Sequence, residues 1–354
     1  MFHDDDGAWT DAFSTGCVAL SALPCAHGGP PLTARLRAAP ADFVVEEVLG
    51  YAADGDGEHV LLAVEKTGAN TEWVARALAR FAGVAPLAVG FAGMKDRHAV
   101  TRQSFSVQLG AQAEPDWATF PHAEVRVLAS ARHRRKLRRG ALAGNRFVLV
   151  LRAVQGDRDG AERVLTAIAA RGVPNYFGEQ RFGRGGANVE RAQAMFAGKR
   201  VDRTLRGLLL SAARAEIFNA VLAARVERAA WDAPLAGELW NLDGSRSWFG
   251  PEPWNDALAA RLAAFDIHPS GPLWGAGPHP AADAAAALEQ EIAATLPELC
   301  AGLAAAGLQH ERRALRLHPA ALQWSWRGDA ALELRFTLPA GAYATVIVRE
   351  LAVV

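Results

Sequence analysis

Between Gly90 and Val107 the chain reads GFAGMKDRHAVTRQSFSV, and one carboxylate, Asp96, stands there among Lys95, Arg97, His98 and Arg102. It is the only acid between Glu72 and Glu114. Neighbouring cations favour the ionised form of a carboxylate. An ionised carboxylate can act as nucleophile or base, or can simply cap the backbone of its own turn. Lys95 is adjacent in sequence, but neighbours in extended backbone point to opposite faces, so the two side chains need not meet.

A second chemical signal is charge. From Arg126 to Arg152 there are eight Arg and one Lys, and no Asp or Glu lies between Glu124 and Asp157. The whole chain is formally neutral, so the remainder carries net −9. The segment RHRRKLRRGALAGNR, with Arg132, Arg134, Arg135, Lys136, Arg138 and Arg139, therefore reads as a phosphate-contacting surface, against the alternative of a solvated face. Asn145 closes it, and a carboxamide can read a base edge through paired donor and acceptor; it also suits a turn.

The stretch VPNYFGEQRFGRGG, residues 173–186, joins three aromatics, Arg181 and Arg184 to four glycines. Gly-rich loops before helices can hold phosphates and aromatics can stack bases. The pattern is neither GxGxxG nor GxxxxGK[ST], which argues against a nucleotide cofactor. Cys17, Cys25 and Cys300 form no CxxC pair and have no His at zinc-ligand spacing, so they read as buried thiols, with neither a disulfide framework nor a metal site.

Elements must hold these residues in place. LTARLRAAPADFVVEEV suggests a turn at Pro40 and a strand from Asp42, and His59–Lys66 alternates as a second strand. Asn70 and Thr71 cap a predicted helix with Val74, Leu78 and Phe81 on one face and Gly83 at its end. Strands are predicted at 89–93, 104–109 and 147–151, which puts Asp96 on a loop between two of them, with Thr101 and Gln103 tying that loop down. A helix is predicted at 161–171. Alanine- and leucine-rich helical patterns fill 188–308, and Leu332, Leu334, Phe336 and Leu338 alternate in a final strand.

With 51% hydrophobic and 21% charged residues the composition is that of a folded protein, and 354 residues suit two domains. The acidic MFHDDDGAW does not resemble a secretory signal, and no run of about 18 apolar residues occurs, so a soluble, cytoplasmic protein without a membrane partner is expected.

Taken together, GMKDRHAVTRQ, KLRRGALAGNRFVLVLR and VPNYFGEQRFG, in this order and spacing, closely resemble the TruD family of tRNA pseudouridine synthases. RLRAAPADFVVEEVLG, LSAARAEIFNAVLAARV and LPAGAYATVIVREL are similar to that family too, and the resemblance runs from about Leu32 onward. Met94 departs from it, where the family often carries another apolar residue or Gln. The resemblance implies an α+β protein: a pseudouridine synthase core with a mixed, largely antiparallel sheet, and an inserted α/β TruD-specific domain, in a V-shaped arrangement. The expected boundaries are 1–170 with 309–354 for the discontinuous catalytic domain and 171–308 for the insert. It implies isomerisation of a tRNA uridine, at position thirteen, by base flipping and an essential aspartate, with no cofactor and no obligate protein partner. Carried over by position, Asp96 is the catalytic aspartate, Phe43, Asn145 and Phe336 contact the target nucleotide, and Arg37 is a basic site residue beside Lys95. The cations from Arg132 to Arg139, and Arg181, would meet RNA. Two other readings stand beside this one. A non-catalytic RNA-binding module or RNA chaperone would leave Asp96 unexplained, and a nucleotide-dependent enzyme using 175–186 as a phosphate loop would lack the P-loop lysine.

Overall fold

The structure, a computed structural model, describes residues 20–354. Cys17 and the acidic stretch before it lie outside the described residues. The chain forms two compact units. One comprises Leu32–Asp157, Pro319–Gly341 and Val353–Val354; the other comprises the described residues up to Pro31, Arg158–His318 and Ala342–Ala352. These cuts fall at 157/158 and 318/319; the boundaries expected from the resemblance were 170/171 and 308/309. The helix Arg158–Arg171 packs on the C-terminal helix Thr345–Leu351, which draws both into the second unit.

The first unit is a mixed sheet with a helix on it. Its strands are β1 (Leu32–Arg35), β2 (Phe43–Val48), β3 (His59–Lys66), β4 (Val89–Phe91), β5 (Val100–Gln108), β6 (Val125–His133) and β7 (Gly144–Gly156). The strands Ala320–Trp326 and Ala331–Pro339 join from the end of the chain. The order is Ala320–Trp326, Ala331–Pro339, β7, β2, β5, β3, β6, with β1 on β7 and β4 on β5. Of the pairs just named, β2 and β5 run parallel and the others antiparallel. Thr71–Phe81 is a helix, as its 3.6-residue spacing requires, and buries Val74 and Leu78 completely against Val60, Leu62, Val64, Phe105 and Val107. The Asn70 side chain makes no capping hydrogen bond, while its carbonyl accepts from the Val74 amide at 3.0 Å.

β7 begins at Gly144 for a steric reason. A Cβ there would lie 2.4 Å from the Leu338 carbonyl oxygen, so only glycine lets the two strands pair this closely.

The second unit is helical at 187–196, 203–227, 256–263, 283–294 and 297–305. It also contains a four-stranded sheet, Trp248–Phe249, Trp240–Leu242, Ile267–Leu273 and Glu311–Ala314, the first three strands of which lie within the stretch the residue pattern read as helical. The helix Arg203–Glu227 is long and apolar enough to cross a membrane by length and composition, yet 78% of its most apolar window is buried in the fold, as in a core helix. Cys25 and Cys300 are free and half-buried rather than fully buried, and burial pushes the Cys300 thiol up to about 12.

Candidate active site

Side chains two apart on a strand share a face, and residues paired across strands share it too. Val45 pairs with Phe147, which pairs with Phe336. Glu47 pairs with Asn145, which pairs with Leu338. Phe43, Glu47, Asn145, Phe147 and Phe336 therefore stand on one face of three adjacent strands. Their rings form a cluster: Phe147 stacks on Phe336 at 5.4 Å between centroids and meets Phe43 edge-on at 6.3 Å. Phe336 is only 2% exposed and Phe43 5%, so the cluster is packed as core.

Arg37 connects this cluster to Asp96. Its guanidinium lies 4.2 Å over the Phe43 ring, and Nη2 is 3.2 Å from Oδ2 of Asp96. The backbone of Arg37 has φ +61°, a left-handed conformation that a non-glycine residue adopts at a cost of about 1–3 kcal/mol. Asp42 holds the turn that follows. Its buried carboxylate accepts from the Ala39 amide at 2.9 Å and from Arg152 at 2.7 and 2.9 Å, and the Arg152 hydrogen bonds hold its carboxyl below the usual range.

The loop bearing Asp96 is tied at several points. Gln103 Nε2 donates to the Gly93 carbonyl at 2.6 Å, and the Lys95 amide donates to Thr71 Oγ1 at 3.1 Å. Thr71 Oγ1 in turn donates to Gln103 Oε1, while Thr101 Oγ1 is buried without a hydrogen-bond partner. Thr71 thus takes the tethering part expected of Thr101. Oδ1 of Asp96 accepts from the His98 amide at 2.9 Å, so both carboxylate oxygens are held. Lys95 turns the other way, into a buried ion pair with Glu47 at 2.8 Å, and Glu47 Oε2 also accepts from the Ser104 amide.

Beneath this loop Lys66, 1% exposed, donates to the carbonyls of Ala69 at 2.9 Å and Asp96 at 3.4 Å. Burial, partly offset by Asp96, pushes its ammonium down to about 8 from 10.5. Between those two pH values the unfolded chain binds more protons than the folded one, so this lysine's contribution to stability rises with pH across the window and is lost as pH falls through 8. The melting temperature of wild type minus that of Lys66→Met should therefore climb between pH 7.5 and 10; a flat difference would contradict the assignment.

The basic segment is less bare than its sequence implies. Arg134 is paired bidentately with Asp56 at 2.7 and 2.9 Å, Arg132 lies 3.4 Å from Glu114, and Arg139 lies 3.7 Å from Glu72. Lys136 donates to the Leu87 carbonyl. The fold brings countercharges from distant sequence, which corrects the picture of a cationic run without partners. Among the described residues Arg135 and Arg138 are exposed and have no carboxylate within 4 Å. Replacing these two by Ala should lower the slope of log affinity for RNA against log salt by about 0.7 to 0.9 for each phosphate that is no longer neutralised. Arg134→Ala should change it less. Equal slopes for all variants in a salt titration would mean that this face does not meet phosphate.

Arg181 belongs to the second unit, where it donates to Ser211 Oγ at 2.9 Å and lies 5.4 Å from the Phe177 ring. The other expected site residues, Asp96, Arg37, Phe43, Lys95, Asn145 and Phe336, lie together in the first. Phe147 and Glu47 join them without having been singled out in the sequence. The signal was there: Phe147 follows Asn145, and Glu47 follows Phe43, at even spacing on strands.

The fold is α+β, with a mixed, largely antiparallel sheet carrying an ion-paired aspartate on a strand-end loop. It is similar to the crystal structure of a putative tRNA pseudouridine synthase D from Methanosarcina mazei, with a TM-score of 0.72 over 92% of this chain and 95% of that one, at 18% identity. The chain belongs to the TruD family: the family model for tRNA pseudouridine synthase D matches residues 25–195 and 188–351. It is 53% identical over 348 residues to the tRNA pseudouridine synthase D of Xanthomonas axonopodis pv. citri, covering 94% of each chain. It is 48% identical over 337 residues to that of Methylococcus capsulatus, covering 95% of each.

Proposed function

We propose that the protein isomerises a uridine of tRNA, at position thirteen, to pseudouridine in the cytoplasm, with Asp96 as the catalytic carboxylate. The observation that carries this reading is the carboxylate itself, held at Oδ1 by the His98 amide and at Oδ2 by Arg37 on a loop fastened at both ends. A group fixed in this way needs little reorganisation when substrate arrives.

The reaction breaks the N1–C1′ bond, turns the uracil and forms C5–C1′; the C5 hydrogen leaves as a proton and N1 takes up a proton. Atoms and electrons balance within the nucleotide. Attack on the sugar, attack on the ring and proton abstraction all begin from the same ionised aspartate. The uridine must first leave its stack at a cost of a few kcal/mol, and phosphate contacts and base contacts offset it. The buried Oδ1 of Asn145 has no hydrogen-bond partner in the protein and is an acceptor suited to the N3–H of uracil. Arg37, lying over Phe43 and against Asp96, suits the nucleotide's polar side.

Purified protein incubated with a tRNA transcript should yield one pseudouridine, mapped to position thirteen, and none when that position is cytidine. Product at another position would overturn the site assignment, and absence of product would overturn the activity.

A further inference from the structure

The first unit has a cavity of about 1060 Å³, lined among others by Arg37, Gly68, Arg97, His98, Glu124 and Arg126. It is large enough for a nucleotide. Arg37 both lines it and touches Asp96, and Arg97 and His98, which follow Asp96 in the chain, line it too, so the cavity lies beside the loop of the candidate catalytic carboxylate. We propose that this cavity receives the nucleotide next to the target uridine, its phosphate on Arg97 and an amino-bearing base edge on Glu124; this rests on the function proposed above.

Charge distribution around the cavity supports that occupant. A ladder of ion pairs crosses five strands, from Arg146 to Glu46 at 3.3 Å, Glu46 to Arg102 at 3.8 Å, Arg102 to Glu65 at 3.0 Å and Glu65 to Arg126 at 2.9 Å. Glu65, the acid of the ladder that lines the cavity, is thereby countered on both sides and offers a phosphate little repulsion. Arg97 is exposed, its Nε donates to His98 Nε2 at 3.0 Å, and among the described residues no carboxylate lies within 4 Å of it. A cation in that state is available for phosphate.

Glu124 is the complementary group. Its side chain has no cation within 4 Å among the described residues, and a carboxylate only accepts hydrogen bonds, so it pairs with a donor such as the exocyclic amino group of adenine, guanine or cytosine. Gly68 keeps the space beside it open. It has φ +79°, its amide donates to the Arg97 carbonyl at 2.9 Å, and a Cβ there would lie 3.3 Å from the Glu124 carboxyl.

A double-mutant cycle on the whole protein tests this. Wild type and Glu124→Ala are each assayed on tRNA transcripts that are intact or abasic at the nucleotide before or after the target, reading affinity by filter binding and isomerisation by single turnover. Loss of one charge-assisted hydrogen bond should weaken binding of intact tRNA by about tenfold, and the loss should vanish on one of the two abasic transcripts. Arg97→Gln should weaken binding of all transcripts and reduce its salt dependence. Independent effects of Glu124→Ala on both abasic transcripts, or competition by free nucleoside monophosphate with no coupling, would overturn the proposal. Binding reads the subsite without chemistry, so tight, coupled binding in the absence of isomerisation would refute the proposed activity instead.

Discussion

Asp96→Asn should lower single-turnover isomerisation by about a thousandfold or more while leaving tRNA affinity within about fivefold. The amide has the same shape, so Oδ1 can still accept from the His98 amide at 2.9 Å and the loop keeps its ties at Gly93 and Lys95. It cannot act as nucleophile or base. The Arg37 pair that weakens is 31% and 26% exposed at its two side chains, and a pair of that exposure is worth about 0–1 kcal/mol. Abolished chemistry with retained binding is therefore the signature. A comparable loss of both would mean that Asp96 shapes the loop rather than the reaction, and retained activity would remove it from the mechanism.

Phe336→Ala should cost about 3–5 kcal/mol of folding stability, because the ring is 2% exposed and stacked on Phe147, and truncation leaves a cavity in a packed sheet face. Denaturant unfolding reads this directly. The position was drawn to notice by its likeness to one that contacts the target nucleotide, and a destabilised alanine variant would confuse that role with plain packing. Phe336→Leu separates them: it should keep most of the stability, and any slowing of turnover in the folded protein then reports a contact to the base. Full stability in Phe336→Ala would contradict the packing described here.

What could be read from residues was whatever local periodicity controls. Val74, Leu78 and Phe81 announced their helix, His59–Lys66 alternated as the strand it forms, and the cation-ringed Asp96 marked a loop between strands. Contacts made across long sequence separations were not legible. Arg134 finds Asp56 and Arg132 finds Glu114 only through the pairing of β3 with β6 and the loops around it, so the basic run looked more naked than it is. Thr71 displaced Thr101 as a loop tether for the same reason, since its partner Gln103 is brought to it by the sheet. The resemblance implied an α/β insert, but its strands were not legible in the residues: Ile267–Leu273 reads IHPSGPL, whose two prolines and glycine disfavour strand by propensity, and burial and pairing with Glu311–Ala314 override them. The left-handed backbone of Arg37 carried no local cue, since arginine has no preference for that conformation, and its side-chain contacts to Asp96 and Phe43 span long or non-periodic separations.

The reaction proposed here displaces hydrogen from uracil C5, which gives the account its most direct measurement. tRNA carrying tritium at C5 of its uridines, incubated with purified protein, should release one equivalent of tritium per tRNA to water, and the Asp96→Asn protein should bind the same tRNA and release none on that timescale. Tight binding by wild type without tritium release, or release undiminished in Asp96→Asn, would contradict the account.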